Sequence, residues 1–328
     1  MHNSSMSRTL TFAIALVAVA LSAALPLRAA QGGRQGAPPP SEHIQQAQAL
    51  VKEGKTADAI AALKRELAAN PTSTRAANML DTLGATTEAR AVFQRVIDAA
   101  PDPAAKAAAQ RAMAMSFAFD GDCASTVKYE QMVIAYWVTR EQAEPQNAFY
   151  QQGEMANEGA RVCVDAGSLD DAERWYRRGY ELGLREPEPR THPRSLWEYR
   201  LAHALGRIAA RRGDADEARR QVAAARRILD GDSAMAAQQE RFFPYLVGYV
   251  ALYTNDLPAA EQALTATVTM RGNERDPFFR ALLGMVYERQ GRRDEARTAY
   301  QQAYELATGH NPPAAFTRPF ARRKLGLQ

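Results

Sequence analysis

The chain has 328 residues, 46% of them hydrophobic and 24% charged, and its 41 lysines and arginines stand against 37 acids for a net charge of +4. That near balance excludes the concentrated positive footprint of a nucleic-acid binder. A compact chain of this length would divide into two or three domains, whereas a stack of repeats escapes that limit because each unit buries its apolar face on the next.

The first element is an apolar run from Leu10 to Leu27, preceded by Arg8, broken by Pro26 and followed by Ala29 and Ala30. A short positive region, an apolar stretch and a small-residue exit predict a secretory signal peptide over residues 1–30. The alternative is an uncleaved anchor, for which the run is marginal against a span of about 20 apolar residues. Cleavage near Ala29 or Ala30 would remove Arg8 and Arg28 from the 41 basic residues and leave 39 against 37 acids. The expected address is the bacterial periplasm or the secreted fraction, with no stable membrane span after cleavage. No cysteine lies near the cleavage site to accept a lipid. Residues 31–40 (QGGRQGAPPP) are glycine, proline and polar residues without an apolar period, and read as a flexible linker.

From Ser41 onward one pattern recurs. A turn residue is followed five places later by alanine: Gly54 and Ala59, Gly84 and Ala89, Gly167 and Ala172, Gly213 and Ala218, Asn255 and Ala260, Gly291 and Ala296. Gly121 is a seventh turn, with Thr126 at that place. Seven residues before each turn stands another small residue: Ala47, Ala77, Ala114, Ala160, Gly206, Gly248 and Gly284. Nine after it stands a bulky one: Leu63, Phe93, Tyr176, Val222, Leu264 and Tyr300. Glu130 breaks that rule in the third unit, where neighbouring Tyr129 is the expected substitute. Small residues let two antiparallel helices approach near the turn that joins them, and the bulky one fills the groove against the neighbour.

The spacing predicts seven helical hairpins, pairing 41–53 with 56–69, 73–83 with 86–99, 103–119 with 123–140, 146–165 with 169–184, 194–212 with 215–229, 238–254 with 257–270, and 277–290 with 293–307. Pro71 and Pro101 stop the first two returning helices, and Pro187, Pro189 and Pro193 punctuate the entry to the fifth hairpin. Asp214 with Glu217 and Ser168 with Asp171 are placed to cap returning helices.

The pattern resembles the tetratricopeptide repeat, a helix–turn–helix unit of about 34 residues. Leu283, Gly284, Tyr287, Ala296, Tyr300 and Ala303 of the last hairpin stand at that family's signature spacings, and Pro71 and Pro101 at its proline. Turn-to-turn spacings of 30, 37, 46, 46, 42 and 36 residues depart from the regular period in the middle. The resemblance implies an all-α, right-handed superhelical solenoid over residues 41–310, with outgoing helices lining a concave face that binds protein or peptide. Residues 311–328, with Phe316, Phe320 and Leu325 among Arg318, Arg322, Arg323 and Lys324, read as a capping helix whose apolar side covers the last hairpin and whose basic side faces water. The alternative, a helix lying on a membrane surface, is disfavoured by Pro319.

Two cysteines remain. Cys123 follows the Gly121 turn and Cys163 precedes the Gly167 turn, so both fall at the turn end of adjacent hairpins. In an oxidising compartment an even count predicts a disulfide; the alternative is two separate buried thiols.

The chain carries no phosphate-cradling glycine loop, no Gly-x-Ser-x-Gly elbow and no His-Glu-x-x-His. Its five histidines lack a second ligand at metal spacing. Asp170-Asp171 and Asp294-Glu295 begin helices, where acids favour the helix dipole. The expectation is therefore a protein that is not an enzyme and takes no cofactor or metal.

The remaining candidate is a surface. Positions about 13, 10 and 6 residues before each turn should face the groove. They are Glu154, Asn157 and Arg161 in the fourth hairpin, Arg200, His203 and Arg207 in the fifth, Phe242, Tyr245 and Tyr249 in the sixth, and Phe278, Ala281 and Met285 in the seventh. A basic strip beside an aromatic one predicts a groove for a peptide or protein segment that is acidic or ends in a carboxylate. The plainer alternatives are a solvated arginine face and an ordinary aromatic core. A chaperone-like holder of unfolded clients is the competing function; it would use Tyr245, Tyr249, Phe278 and Met285 as an apolar groove.

Overall fold

The computed structural model describes residues 39–327. The expected signal peptide and all but the end of the expected linker lie outside them. The described residues are helical throughout, without a strand. Hairpins form from α1 (Glu42–Lys52) with α2 (Thr56–Ala69), α3 (Thr74–Leu83) with α4 (Thr86–Asp98), and α5 (Pro103–Phe119) with α6 (Cys123–Val138). They continue with α7 (Pro145–Ala166) and α8 (Leu169–Leu184), then α9 (Arg194–Arg212) and α10 (Ala215–Gly231). A short α11 (Ser233–Gln239) and a single 3-10 turn (Glu240–Phe242) precede α12 (Phe243–Tyr253), which pairs with α13 (Leu257–Thr269). The last hairpin is α14 (Pro277–Arg289) with α15 (Arg293–Leu306), and α16 (Pro312–Leu325) ends the chain. The seven expected hairpins are present. The sixth outgoing helix starts later than expected: Pro244 stands in its first turn, where a missing N–H costs least, and α11 takes the preceding residues.

All seven turn residues are left-handed, with φ between 65° and 86°. Asn255 is the one that is not glycine, and asparagine is among the few side chains that visit this region readily. Each turn thus ends one helix and reverses the chain in two or three residues. Side-chain caps start several helices: Asp102 accepts from the Ala105 N–H at 2.8 Å, Asp122 from Ser125 at 3.0 Å and Asp214 from Glu217 at 2.9 Å. The expected cap at Ser168 does not form.

Beside every turn the small residues are buried, Ala47, Ala77, Ala114 and Ala160 on outgoing helices and Ala59, Ala89, Thr126, Ala172, Ala218, Ala260 and Ala296 on returning ones. In the sixth and seventh hairpins the bulky partner seats on the small residue of its own hairpin: a Cβ on Gly248 would stand 2.6 Å from Leu264 Cγ, and one on Gly284 2.6 Å from Tyr300 Cε1; in the fifth, Gly206 instead meets Gln221 and Leu246. In the third hairpin Glu130 itself is buried in the bulky slot, while Tyr129 is only partly buried and stacks on Phe117.

Outgoing helices line the inside of the stack, as α16 shows by what it touches. It packs on α14 and α15 of the last hairpin and also on α3, α5 and α7. A 14-residue helix, about 21 Å long, meets hairpins two and seven together only if the solenoid curls around it. The cap therefore does more than cover the end. Its basic side is not turned wholly to water either: Arg318 is buried and donates to the carbonyls of Thr82 (3.2 Å) and Tyr304 (2.8 Å), and Arg322 donates to Leu83 (2.9 Å). The helix runs unbroken through Pro319. No helix among the described residues is long and apolar enough to cross a membrane.

Cys123 and Cys163 form a disulfide, with Cα atoms 4.7 Å apart and 40 residues between them in sequence. It ties the start of α6 to the end of α7 and so locks the third hairpin to the fourth.

Two measurements probe this seam. Gly248→Val should lower stability by about 1–3 kcal/mol through overpacking, whereas Gly231→Ala, where a Cβ meets nothing within 4 Å, should leave it unchanged or higher; urea midpoints of the two variants give the comparison. Closing a loop of this length is worth about 4 kcal/mol in the chain-entropy estimate. Reductant should accordingly lower the wild-type midpoint towards that of Cys123→Ala/Cys163→Ala and leave the double variant unmoved, and thiol titration of the denatured, unreduced chain should find no free thiol.

Candidate functional site

Two adjoining seats open on the inner face. The first, of about 340 Å³, lies between α7, α9 and the start of α12, lined by Asn157, Arg161, Tyr176, Tyr199, Arg200, His203, Arg207, Phe242 and Tyr245, with Glu154, Glu158, Gln239 and Pro312 at its edges. The geometry follows from the turns. Positions six and ten before each left-handed turn lie on the same side of successive outgoing helices, so the fourth, fifth and sixth hairpins present Arg161, Arg207 and Tyr245 to a common space.

Arg207 is at the bottom, 5% exposed. Its guanidinium donates to Tyr245 Oη (3.0 Å), Tyr176 Oη (2.9 Å) and the His203 carbonyl (3.3 Å), all neutral acceptors. Both phenol oxygens accept here, which leaves their own O–H groups to donate elsewhere. Arg161 lies over the Phe278 ring at 4.9 Å and its side chain makes no hydrogen bond or ion pair among the described residues; its Nε is buried without a partner. Tyr199 is 2% exposed and its hydroxyl is also unpartnered. The carboxylate in the field of these cations, Asp165, forms no ion pair with them, and burial pushes its pKa up to about 6 against the pull of Arg161, Arg207 and Arg211. His203 is held well below its ordinary pKa by burial and by Arg207, so its ring is neutral, with Nε2 3.3 Å from the Phe242 carbonyl. Burial likewise raises Tyr245 to about 12 and Tyr199 further, keeping both hydroxyls protonated. The seat thus holds two arginines and three tyrosine hydroxyls whose hydrogen-bonding capacity exceeds what the chain supplies. By contrast, the rim charges are matched, Arg200 with Glu154 and Arg111 with Glu158 at 2.6 Å.

The second seat, of about 560 Å³, is apolar and belongs to the third hairpin. Alanines 104, 107, 108 and 112 form its floor on α5, and Met115, Val133, Tyr136, Trp137 and Met155 its walls. It shares Glu158 and Pro312 with the first seat, so the two adjoin.

Of the expected groove residues, Asn157, Arg161, Arg200, His203, Arg207, Phe242 and Tyr245 line one space. Tyr249 and Phe278 do not; each is 1% exposed. Phe278 is covered by Phe316 of α16, ring centroids 5.1 Å apart, and by Arg161, while Tyr249 packs between Tyr245 and Tyr253. Tyr176 and Tyr199 escaped the spacing argument. Tyr176 counts as a seam-filling residue nine after a turn, yet only its ring fills the seam and its hydroxyl reaches Arg207. The apolar seat had no signal beyond an alanine-rich α5, which reads equally as close packing.

Stacked hairpins that close on small residues beside left-handed turns, with open seats on their inner helices, define a helical-repeat scaffold. The family model for the tetratricopeptide repeat matches residues 44–104 and 245–311, so the first two and the last two hairpins carry tetratricopeptide repeats. Among solved structures it is similar to a tetratricopeptide repeat protein from Parabacteroides merdae, at 15% identity over 87% of this chain and 97% of that one, with a TM-score of 0.44. It is also similar to the tetratricopeptide repeat domain of P58(IPK), at 13% identity over 87% of this chain and 88% of that one, with a TM-score of 0.29. No curated protein matches the chain.

Beneath the groove edge, Glu130 is fully buried with both carboxyl oxygens unpartnered. Burial, reinforced by Glu158 and opposed by Arg111, raises its pKa well above the ordinary range. The folded state therefore holds this proton more tightly than the unfolded chain. Its contribution is fully present below the unfolded value near pH 4.3 and is lost as pH rises through the folded one. Glu130→Gln, which mimics the protonated form, should be more stable than wild type at pH 7.5, with the gap narrowing towards pH 4, as read from urea midpoints at both pH values.

Proposed function

We propose that this protein is an exported, non-catalytic adaptor that holds a segment of a partner protein in the groove on its inner face. Tetratricopeptide repeats mediate protein–protein contact; the finer reading concerns where and what this chain binds. The observation that carries it is the basic seat. Arg207 is buried with only neutral partners, Arg161 has none, and the Tyr199 hydroxyl is unpaired beside them. A buried cation gains most from a ligand that brings a full negative charge and several acceptor lone pairs. A carboxylate of the partner, whether an acidic side chain or a chain end, meets that need, and the adjoining apolar seat takes a neighbouring nonpolar side chain. The leader-like N-terminus supports export to the periplasm or the secreted fraction, and the disulfide supports an oxidising compartment. The client-holding alternative loses two of its four residues, since Tyr249 and Phe278 are covered by packing.

Crosslinking capture from the exported fraction tests the reading. Wild-type protein should retain a partner, and Arg161→Glu should reduce capture tenfold or more, the scale of one charge-assisted hydrogen bond. Arg178→Glu, on the exposed face of α8, should not. Equal capture by both variants, or none by wild type, rejects the groove.

A further inference from the structure

The C-terminal helix occupies the same inner face, and its two sides are held differently. Towards the last hairpin it is firmly seated: Phe316 meets Phe278 edge to face, Phe320 meets Tyr300 at 5.7 Å, and Lys324 pairs with Glu288 at 2.7 Å. Towards the second, third and fourth hairpins the fit is poorer. Spaces of about 270 and 210 Å³ remain there, walled by α16 with Phe119, Asp120, Val162 and Asp165 in one case and with Asp81, Thr86 and Asp120 in the other. Unfilled space forfeits dispersion contacts, so this side of the helix is the weaker one.

A small apolar cluster (Met115, Ala118, Phe119 and Val162 with Ala314 and Ala315) and a set of polar contacts hold it there. Arg318 and Arg322 donate to the carbonyls of Thr82 and Leu83, the last residues of α3, where the helix dipole favours a cation. Arg322 lies so close over Gly84 that a Cβ there would stand 2.5 Å from its Nη1. Just before α16, His310 Nε2 lies 2.8 Å from Asp81 Oδ2, and Ser116 donates to the other Asp81 oxygen at 2.8 Å. No carboxylate pairs with Arg318 or Arg322 among the described residues; their acceptors are carbonyls.

The position of this weaker hold matters for the groove. His310, Asn311 and Pro312 wall the apolar seat, and Pro312 walls the basic one. With α16 in place the inner face offers two seats for side chains, while the strip along α3 and α5 that would accommodate the rest of an extended segment is covered.

We propose that α16 is a clasp that gates the groove: fastened to the last hairpin, it closes the solenoid through its weaker hold on α3, α5 and α7, and releasing that hold opens the inner face to a partner. This rests on the groove being the partner surface, but the clasp is measurable without any partner. Met115, buried against Ala314 and Ala315 of α16, becomes accessible when the clasp opens. Met235, buried against the fifth hairpin and distant in sequence from α16, does not.

The test is dilute hydrogen peroxide on the full chain, with methionine oxidation followed residue by residue by mass spectrometry. Arg322→Ala removes the donor to Leu83, and Gly84→Ala crowds its seat from the opposite side. Gly54→Ala controls for the left-handed strain, since a Cβ there meets nothing within 4 Å. We expect Met115 to oxidise about tenfold faster in the first two variants than in wild type and Gly54→Ala, with Met235 unchanged throughout. An unchanged Met115 rate in Arg322→Ala and Gly84→Ala overturns the clasp, as does a parallel rise at Met235, which would mean global loosening. A fast Met115 with unimproved partner capture by Arg322→Ala also overturns the gating. In that case the loss of capture in Arg161→Glu would still stand for the groove, so the two failures are distinct.

Discussion

Every hairpin depends on two backbones approaching closely beside a left-handed turn. The approach requires a small side chain on each helix, and it creates a hollow that one bulky residue of the returning helix must fill. Gly248 beneath Leu264 and Gly284 beneath Tyr300 show how little room is left. Because the contact is local, it repeats without regard to total length, and the helix pairs accumulate into a curved stack whose outgoing helices face inward.

The one seam that departs from this chemistry is informative. The third hairpin puts Glu130 where a bulky apolar residue belongs and Thr126 where the others have alanine. It is also the hairpin stapled to its neighbour by the disulfide, the one whose outgoing helix floors the apolar seat, and one of those on which α16 rests. A departure from the seam chemistry and an added covalent tie thus occur together, beside the apolar seat.

The inner face itself is divided by charge. Around the fourth to sixth hairpins it carries two arginines, Arg207 with only neutral partners and Arg161 with none; at the end of α3 it presents carbonyls that accept from Arg318 and Arg322 of α16. The chain therefore supplies its own ligand for the acceptor-rich end and none for the donor-rich end. That asymmetry is the physical ground for assigning the basic seat to a partner and the C-terminal helix to its control.

The sequence by itself determined the helices, their pairing and the turns, because left-handed glycines, small residues at fixed offsets and terminal prolines act within one hairpin. It also brought Cys123 and Cys163 to neighbouring turn ends. Register along each outgoing helix was readable well enough to gather Arg161, Arg200, His203, Arg207 and Tyr245 into one space. Only the tertiary structure decided which of these meet solvent and where α16 lies. Tyr249 and Phe278 have groove spacing, yet neighbouring helices and Phe316 cover them. Arg318 and Arg322 read as a solvated face, yet carbonyls more than 230 residues earlier in the chain accept their protons. Curvature sums small rotations over seven hairpins, and no local pattern records that sum.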